Sequence, residues 1–410
     1  MFEKSWRLIG AFCLAVLFLV MPTTEAANRD FSKANTVKIG ILAPVQMPVG
    51  NGIIYAARLA ADEINAKGGI LGKKVELVIG DSESKPEKGV LVTKKLALED
   101  KVDVLVGEYS SGVALAIQPF LSQYEIVFIS TGCASPDLHR NVSKNYDKNK
   151  YYFMNMADSI QQEKEAARFC KEFVNGKLGY KKFAILAENA KWTEEYAPEL
   201  KKDLENAGLE VLFYERFDVE LKDFSPTFAK IKSLNVEWIS QVLSHAASIP
   251  LVRGWAESKP APMGGVNVGS QDAKFWESTG GVCAGEIGFN HIARAPLTSK
   301  TIAFWDKYEK TFKNTPLYPS GYTYDAVNMV AEVIKKKKSL KSKDIIDGLE
   351  NTTHSGVIHT AVGFDKKSHA ILEGRYGLSF LQWQEGGKQV VIFPDKYKTG
   401  EYVKPAWWKK

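Results

Sequence analysis

Cysteine is scarce in this sequence, with four residues in a chain of 410. Cys13 lies in an apolar N-terminal run, and the other three are Cys133, Cys170 and Cys283. Three cysteines allow at most one intramolecular disulfide and leave one thiol over. The low content excludes a disulfide-rich scaffold, so the fold must depend mainly on its hydrophobic cores.

Long apolar runs and concentrations of charge are also lacking. Beyond the N-terminal region, no stretch approaches the roughly 20 apolar residues that cross a bilayer. Lys and Arg number 54 against 48 Asp and Glu, and the net charge of +6 is spread along the chain. Nucleic-acid-binding proteins usually concentrate their positive charge more strongly. We therefore expect a soluble protein of two domains that neither binds nucleic acid nor spans a membrane.

The sequence lacks the common motifs of cofactor, metal and nucleophile chemistry. It contains no P-loop, no six-position glycine fingerprint and no Gly-x-Ser-x-Gly nucleophile turn. Its six histidines, among them His354 and His359, have no zinc-ligand spacing. We expect no cofactor, no metal and no catalytic residues, and hence a protein that is not an enzyme.

The N-terminus has the pattern of a secretory signal. Lys4 and Arg7 precede the apolar run Leu8–Met21, which Pro22 breaks, and small residues follow up to Ala27. A basic start, a short apolar core and a small-residue cleavage site predict a signal peptide over residues 1–26. The alternative is a membrane anchor, for which the run is short. The mature protein is expected in the periplasm.

Two kinds of sequence pattern alternate from Thr36 onward. Short runs rich in β-branched residues are separated by segments in which apolar residues recur at helical spacing. The predicted strands of this first series are Val37–Leu42, Val75–Ile79, Val102–Val106 and Ile126–Ile129. Near-continuous apolar strands are typical of parallel sheets that are buried on both faces. The series predicts a doubly wound α/β lobe.

The same alternation begins again after residue 160 and predicts a second α/β lobe. Its first predicted strands are Phe183–Ala187, Val211–Tyr214 and Val236–Leu243. Near the C-terminus, Tyr376–Gln384 and Lys388–Phe393 flank a Gly-Gly turn, which predicts a β-hairpin. Ligands of open α/β sheets bind at the carboxyl ends of strands, so the cleft between the lobes is the expected site.

Three segments carry a resemblance to a known family. Residues 60–75 read AADEINAKGGILGKKV and continue to Asp81, which combines a helix, a Gly-Gly stop and a turn into the next strand. Val106–Gly112 and Ser130–Pro136 follow in the expected order. Together these segments resemble the type I periplasmic solute-binding proteins, especially the leucine/isoleucine/valine-binding branch, which are substrate-binding components of ABC transporters. The resemblance extends over essentially the whole mature chain.

The resemblance implies two doubly wound parallel-sheet lobes that are joined by three crossing hinge strands and close on a small molecule. It places the three crossings near Met154–Ser159, Phe289–Ala295 and Gly348–Ser355. Lobe one then comprises residues 36–155 and 292–350. Lobe two comprises residues 156–291 and 351–410.

Two strand-to-helix loops are the candidate ligand-binding elements of lobe one. Hydroxyl and free backbone N–H groups at a helix start favour an anion. By resemblance, Ser111 matches the serine that binds a ligand carboxylate, and Gly132 matches a backbone contributor. Tyr109, Ser110 and Ala134 belong to the same loops. The alternative is that these serines only cap the helix.

The remaining candidate residues are distributed over both lobes. By resemblance, Trp192 matches an aromatic lid over the ligand, with simple packing between lobes as the alternative. Ser244 and Asn267 follow the next two predicted strands of lobe two. Val49, with Tyr109, is a candidate for the apolar pocket around the ligand's side chain.

Two departures from the family concern the head group of the ligand. Amino-acid-binding relatives carry a threonine where this chain has Ala134, and alanine has no hydroxyl to offer. They also place a carboxylate near the loop where this chain has Val266 and Asn267. The sequence therefore favours a carboxylic acid slightly over a free amino acid.

The expected function is solute capture for transport. We expect a monomer that binds a small carboxylate or amino-acid-like solute and delivers it to an ABC-type inner-membrane permease. A sensory binding protein of the same fold that feeds a signalling receptor is the first alternative. An exported amidase or hydrolase is the second, although no nucleophile–base–orienter set can be placed in the sequence.

Overall fold

Two β-sheets organise the computed structural model, which describes residues 28–372 and 378–410. The predicted signal peptide, with Cys13, lies outside the described residues. In the two described ranges, no helix combines the length and the apolar composition needed to cross a membrane. Each sheet corresponds to one of the two predicted lobes.

The sheet of lobe one is wholly parallel in the described chain. Its strands are β1 (Thr36–Ala43), β2 (Lys74–Asp81), β3 (Val104–Gly107), β4 (Val127–Ser130) and β5 (Tyr152–Met154). They lie in the order β2-β1-β3-β4-β5. Every residue of β3, β4 and β5 is buried, as expected for strands covered by helices on both faces.

The sheet of lobe two joins a parallel part to an antiparallel edge. Its strands are β6 (Lys182–Glu188), β7 (Glu210–Phe217), β8 (Trp238–Leu243), β9 (Gly264–Asn267), β10 (Ile287–Asn290), β11 (Ser379–Gln384) and β12 (Lys388–Phe393). Their order is β12-β11-β10-β9-β8-β6-β7. The last two strands form an antiparallel hairpin that extends the sheet beyond β10, which confirms the predicted hairpin.

Helices cover both sheets. Those of lobe one are α1 (Pro48–Ala66), α2 (Pro86–Lys94), α3 (Ser111–Leu121), α4 (Asp137–Lys144), α5 (Tyr146–Asn149), α11 (Thr301–Phe312), α12 (Tyr318–Lys337) and α13 (Ser342–Glu350). Those of lobe two are α6 (Ser159–Phe169), α7 (Thr193–Asn206), α8 (Ser225–Ser233), α9 (Ser248–Ser258) and α10 (Phe275–Thr279). Because α12 packs against α1 and β3, residues far apart in sequence complete lobe one.

The chain crosses between the lobes at residues 155–158 and 291–300, close to two of the predicted crossings. For the third crossing, predicted near Gly348–Ser355, the contacts of the following residues favour a later position. Ala370 still forms a parallel bridge with Met154 at the edge of the first sheet, and the His369 ring stacks on Phe153 at 3.9 Å. Since these contacts hold the chain on lobe one up to residue 372, we propose that lobe two resumes only near residue 378.

The three cysteines of the described chain are buried free thiols. Burial, with the nearby charge of Glu108, raises the pKa of Cys133 well above its usual value. Burial also raises the pKa values of Cys170 and Cys283 to about 12. Thiols of this kind are poor nucleophiles and poor metal ligands, so they act as small core residues here.

Candidate functional site

The turn after β3 shapes the lobe-one wall of the cleft. Gly107 ends the strand at a φ of +118°, and a Cβ there would lie 2.3 Å from the carbonyl oxygen of Leu42. Only glycine fits this close approach. Glu108 follows in the left-handed region at a φ of +59°. The chain thus turns directly from β3 into α3, which begins at Ser111.

Glu108 stabilises this turn from inside the lobe. Its side chain is fully buried, and Oε1 accepts the backbone N–H groups of Tyr109 at 2.9 Å and Ser110 at 2.8 Å. Burial raises the pKa of Glu108, although these hydrogen bonds oppose the shift. The N–H groups just before α3 are therefore used internally. Those of its first turn have no partner within the helix and can serve a ligand.

Ser111 links the two ligand loops of lobe one. Its Oγ accepts the backbone N–H groups of Ala134 at 3.0 Å and Ser135 at 3.1 Å. A hydroxyl that accepts two bonds still has its own hydrogen to donate. Ser111 lines the cavity between the lobes and is 5% exposed. Its position fits donation to an acceptor in that cavity.

Gly132 and Ala134 bring the second loop close to the first. A Cβ on Gly132 would lie 2.9 Å from the carbonyl oxygen of Glu108, so a larger residue would push the loops apart. The Gly132 carbonyl also accepts the Tyr318 hydroxyl at 2.8 Å. Since Ser111 takes the N–H of Ala134, this residue offers the cavity only its methyl group.

The lobe-two wall is built around the carboxylate of Glu188, at the end of β6. Its Oε1 accepts hydrogen bonds from Trp192 Nε1 at 3.0 Å, Ser244 Oγ at 2.5 Å and His245 Nδ1 at 2.9 Å. Its Oε2 accepts the backbone N–H of His245 at 3.1 Å. Glu188 has no exposed surface, and these four hydrogen bonds hold its carboxylate in place.

Glu188 and His245 form an ion pair. Burial alone would lower the pKa of His245, but its hydrogen bond to Glu188 and the charge of that carboxylate raise it above its usual value of 6.5. Burial would raise the pKa of Glu188, but the hydrogen bond and charge of His245 hold it below its usual 4.5. The lobe-two wall therefore carries a buried negative charge behind a positive ring.

Ser244, His245 and Glu188 are residue types of a hydrolytic triad, but their geometry differs from one. In a triad the serine and the carboxylate bond opposite nitrogens of the histidine ring. Here both groups contact the same nitrogen, His245 Nδ1: Ser244 Oγ lies at 3.0 Å and Glu188 Oε1 at 2.9 Å. Ser244 Oγ also donates directly to the carboxylate. This arrangement orients the histidine and does not activate the serine.

A cavity of about 250 Å³ lies between the two walls. Seven of the nine predicted site residues line it: Tyr109, Ser110, Ser111, Gly132, Ala134, Trp192 and Ser244. The other described residues that line it include Gln162, Asn189, Lys191, His245, Val266, Val268, Gln271, Phe289, His291 and Tyr318. No Asp or Glu of the described chain is among the lining residues. The lining of the cavity therefore combines apolar and aromatic side chains with hydrogen-bond donors from both lobes.

Two predicted site residues lie outside this cavity. Asn267 has no exposed surface, because its side chain bonds Ser248 Oγ at 2.5 Å and Glu286 Oε1 at 3.2 Å inside lobe two. Val49 is in the first turn of α1, beside the cleft, and lines a neighbouring apolar cavity of about 330 Å³. The structure therefore does not bring Asn267 and Val49 together with the other seven residues around the main cavity.

Several residues of the site were missed at the sequence level. Tyr318 was missed, although Pro319 next to it is a common sign of a first helical turn. His245 directly follows Ser244, but its pairing with Glu188 gave no local signal. His291 lines the cavity from the second crossing, and burial lowers its pKa to about 3, which keeps it neutral.

The two walls contact each other across the cleft. The Tyr109 hydroxyl donates to the carbonyl oxygen of Ser244 at 2.7 Å. At the rim, Arg140 pairs with Glu195 at 2.6 Å. Lys191 pairs with Asp137 at 3.0 Å. The lobes are therefore in the closed arrangement.

Comparison with known proteins agrees with this architecture. A family model described as periplasmic binding protein matches residues 36–388. A relative from Pseudomonas aeruginosa, described as a leucine-, isoleucine-, valine-, threonine- and alanine-binding protein, is 26% identical over 368 residues. That match covers 87% of this chain and 93% of the relative.

Solved structures have the same fold. One is the branched-chain amino acid transporter substrate-binding protein LivJ from Streptococcus pneumoniae in complex with isoleucine. It has a TM-score of 0.74 at 22% identity and covers 88% of this chain and all of that one. Another is a solute-binding protein of an ABC transporter from R. palustris in complex with benzoate, with a TM-score of 0.75 at 20% identity and coverage of 90% and 98%. The family match over most of the chain, on this two-lobed fold, shows that the protein belongs to the periplasmic binding protein family.

Proposed function

We propose that this protein captures a small carboxylate in the interlobe cavity and delivers it to an ABC-type importer. The main support for the proposal is the arrangement of hydrogen-bond donors at the start of α3. There Ser111, whose hydroxyl has a hydrogen to donate, and Gly112 of the first turn both line the cavity. Such a helix start is suited to an anion, because its donors and its dipole both favour negative charge.

The ligands of the structural neighbours support this head group. Isoleucine and benzoate, bound in two proteins of the same fold, are both carboxylates. They differ in the ammonium group, which benzoate lacks. In the present cavity Ala134 offers a methyl group where a hydroxyl would help to hold an amino acid. No acidic residue of the described chain lines the cavity to meet an ammonium. We therefore place a carboxylic acid ahead of an α-amino acid.

Transport implies that the chain is exported and that its lobes move. We propose that residues 1–26 are removed on export, which an intact mass of the periplasmic protein tests directly. Closure on a solute compacts two lobes about their crossings, as in hinge-type domain closure. Small-angle scattering is expected to give a smaller radius of gyration when the cavity is saturated.

A matched set of acids and primary amides tests the head group. Benzoate and benzamide, and hexanoate and hexanamide, are compared by thermal shift and by titration calorimetry. We expect the acids to raise the melting temperature, because they bind only the folded form, and the amides to bind at least about tenfold more weakly. Equal binding of each acid and its amide contradicts the carboxylate assignment.

A further inference from the structure

The lobe-two wall carries one donor that the proposed carboxylate site does not use. His245 lines the cavity, and a quarter of its side chain is exposed. Its Nδ1 lies 2.9 Å from Glu188 Oε1 and 3.0 Å from Ser244 Oγ. Within the described chain, Nε2 has no hydrogen-bond partner, so it remains to serve a ligand.

The carboxylate behind the ring fixes what a solute meets. Glu188 has no exposed surface, and Trp192, Ser244 and His245 supply its four hydrogen bonds. A solute in the cavity therefore contacts the histidine ring and not the carboxylate. The Nδ1 hydrogen points to the carboxylate, so Nε2 carries a hydrogen and acts as a donor when the ring is protonated, the form that the raised pKa of His245 favours.

The other basic side chains of the cavity are not available in this way. Lys191 Nζ lies 3.0 Å from Asp137 and 2.6 Å from Glu194, at the rim. His291 is neutral, and its Nδ1 is 2.9 Å from the Tyr322 hydroxyl. Of the described residues that line the cavity, His245 is thus the cationic donor whose free nitrogen is not engaged by the protein.

We propose that His245 is a specificity-determining residue that binds the second end of the solute, and that the solute is a carboxylic acid with a further hydrogen-bond acceptor, best an anionic one, facing lobe two. This inference rests on the proposed function, because it takes the first carboxylate to lie at the start of α3. An acid that ends in an ammonium group is disfavoured, since its positive charge would face the protonated His245 ring while Glu188 is buried behind that ring.

The experiment compares acids that differ only at the far end. Succinate, glutarate and adipate are the diacids. Butyrate, pentanoate and hexanoate are the matched monoacids, and the ω-amino acids of the same lengths place a cation at that end. Calorimetric titrations are made with the mature protein at pH 6.0, below the usual histidine pKa of 6.5, so that His245 with its raised pKa is protonated. In at least one length, we expect the diacid to bind about ten- to a hundredfold more tightly than its monoacid, and the ω-amino acid to bind most weakly.

Two variants at position 245 and one charge control assign the preference. His245→Asn keeps an amide near Nδ1 but lacks the reach of Nε2, so it is expected to abolish the diacid preference. His245→Gln restores a donor near Nε2 and is expected to recover part of it. Lys191→Gln also removes a positive charge from the lining and is expected to weaken diacid and monoacid by the same factor. Circular dichroism and a melting curve check that each variant is folded.

The outcomes separate this inference from the proposed function. Diacid preference that disappears in His245→Asn and persists in Lys191→Gln supports the inference. Tight binding of monoacids without diacid preference, or a preference that survives His245→Asn, overturns the inference and leaves the proposed function standing. Tighter binding by the ω-amino acids also overturns it, because the wall then accepts a cation. Binding of amides but of no acid contradicts both.

Discussion

The lobe-one wall of the cleft offers neutral donors at a helix start, beside the rings of Tyr109 and Tyr318, whereas the lobe-two wall is built around a buried ion pair. On the first wall, Ser111 and the first turn of α3 offer neutral donors whose positions are set by backbone geometry. On the second, Trp192, Ser244 and His245 all converge on Glu188.

This difference suggests that the two walls have separate roles. The lobe-one wall recognises the class of ligand, and the lobe-two wall selects among ligands of that class. Backbone N–H groups at a helix start can bind any carboxylate, because they require only an anion at the right place. A side-chain wall varies more readily, since a single substitution there alters charge, size and donor pattern.

The strongest test of the comparison removes the charge on which the lobe-two wall depends. Glu188→Gln leaves His245 without its counter-ion inside the protein. Loss of one partner of a buried ion pair typically costs 3–5 kcal/mol, and we expect about 3 kcal/mol because part of His245 is exposed to water. Urea unfolding monitored by circular dichroism measures the loss. Glu194→Gln, on the exposed pair with Lys191, is the matched control and is expected to cost less than about 1 kcal/mol. Equal losses in the two variants would show that the Glu188 pair has no special weight.

The second test acts on the neutral wall. Ser111→Ala removes the hydroxyl that donates to a carboxylate and that also accepts the N–H groups of Ala134 and Ser135. Loss of a hydrogen bond to a charged group costs about 1.5–3 kcal/mol, so affinity for the best acid is expected to fall roughly ten- to a hundredfold. Calorimetry measures the change, with Ser143→Ala on exposed α4 surface as the control. An unchanged affinity in Ser111→Ala removes the case for a helix-start carboxylate site.

The third test uses pH, to which the Glu188–His245 pair of the lobe-two wall is expected to respond. The raised pKa of His245 makes its contribution to stability complete below 6.5 and lost as pH rises through the folded value. The lowered pKa of Glu188 makes its contribution complete above 4.5 and lost as pH falls through the folded value. The pair therefore stabilises the fold most between pH 4.5 and 6.5.

Subtraction isolates this contribution from that of other titrating groups. The free energy of unfolding is measured from pH 3 to pH 9 for the wild type and for Glu188→Gln. Their difference is expected to have a plateau between pH 4.5 and 6.5 and to decline on both sides. The difference between the wild type and Ser111→Ala is expected to stay level over the same range. A flat Glu188→Gln difference would mean that the pair does not carry opposite charges.

The smallest effect is expected at the rim, where the walls meet through exposed charges. Arg140 and Glu195 are about two-fifths exposed, and pairs of that kind contribute at most about 1 kcal/mol. Arg140→Gln is expected to raise the rate constant of solute dissociation about twofold at low salt and to leave it unchanged at high salt. Stopped-flow fluorescence measures this rate constant. Arg294→Gln, on a surface pair within lobe one, is the control and is expected to leave dissociation unchanged. A salt-independent effect of Arg140→Gln would point to steric packing.

Much of the fold can be read from the sequence because its signals are local. Buried β-branched runs predicted the parallel strands β1, β3 and β4 within a few residues, and the Gly-Gly turn predicted the hairpin β11–β12. The strand-to-helix loops of lobe one were found in the same way, since the start of α3 at Ser111 depends on neighbouring residues.

The misses depend on contacts between distant residues. The pairing of His245 with Glu188 spans 57 positions, and nothing near either residue predicts it. The bridge between Met154 and Ala370, which keeps the chain on lobe one after α13, spans a still greater distance. Asn267 lies at the carboxyl end of β9, a position typical of ligand-binding residues in parallel sheets. However, Ser248 and Glu286 hold its side chain inside the lobe.

The bond from the Tyr109 hydroxyl to the Ser244 carbonyl, together with the rim pairs, has a consequence for how tightly any solute is held. These contacts belong to the polypeptide, so part of the work of closure is independent of what occupies the cavity. The measured dissociation constant equals the intrinsic constant of the closed form divided by the fraction of free protein that is already closed. A rim residue such as Arg140, which does not line the cavity, can therefore tune the working concentration range of the protein for every ligand at once, without altering which ligand it prefers.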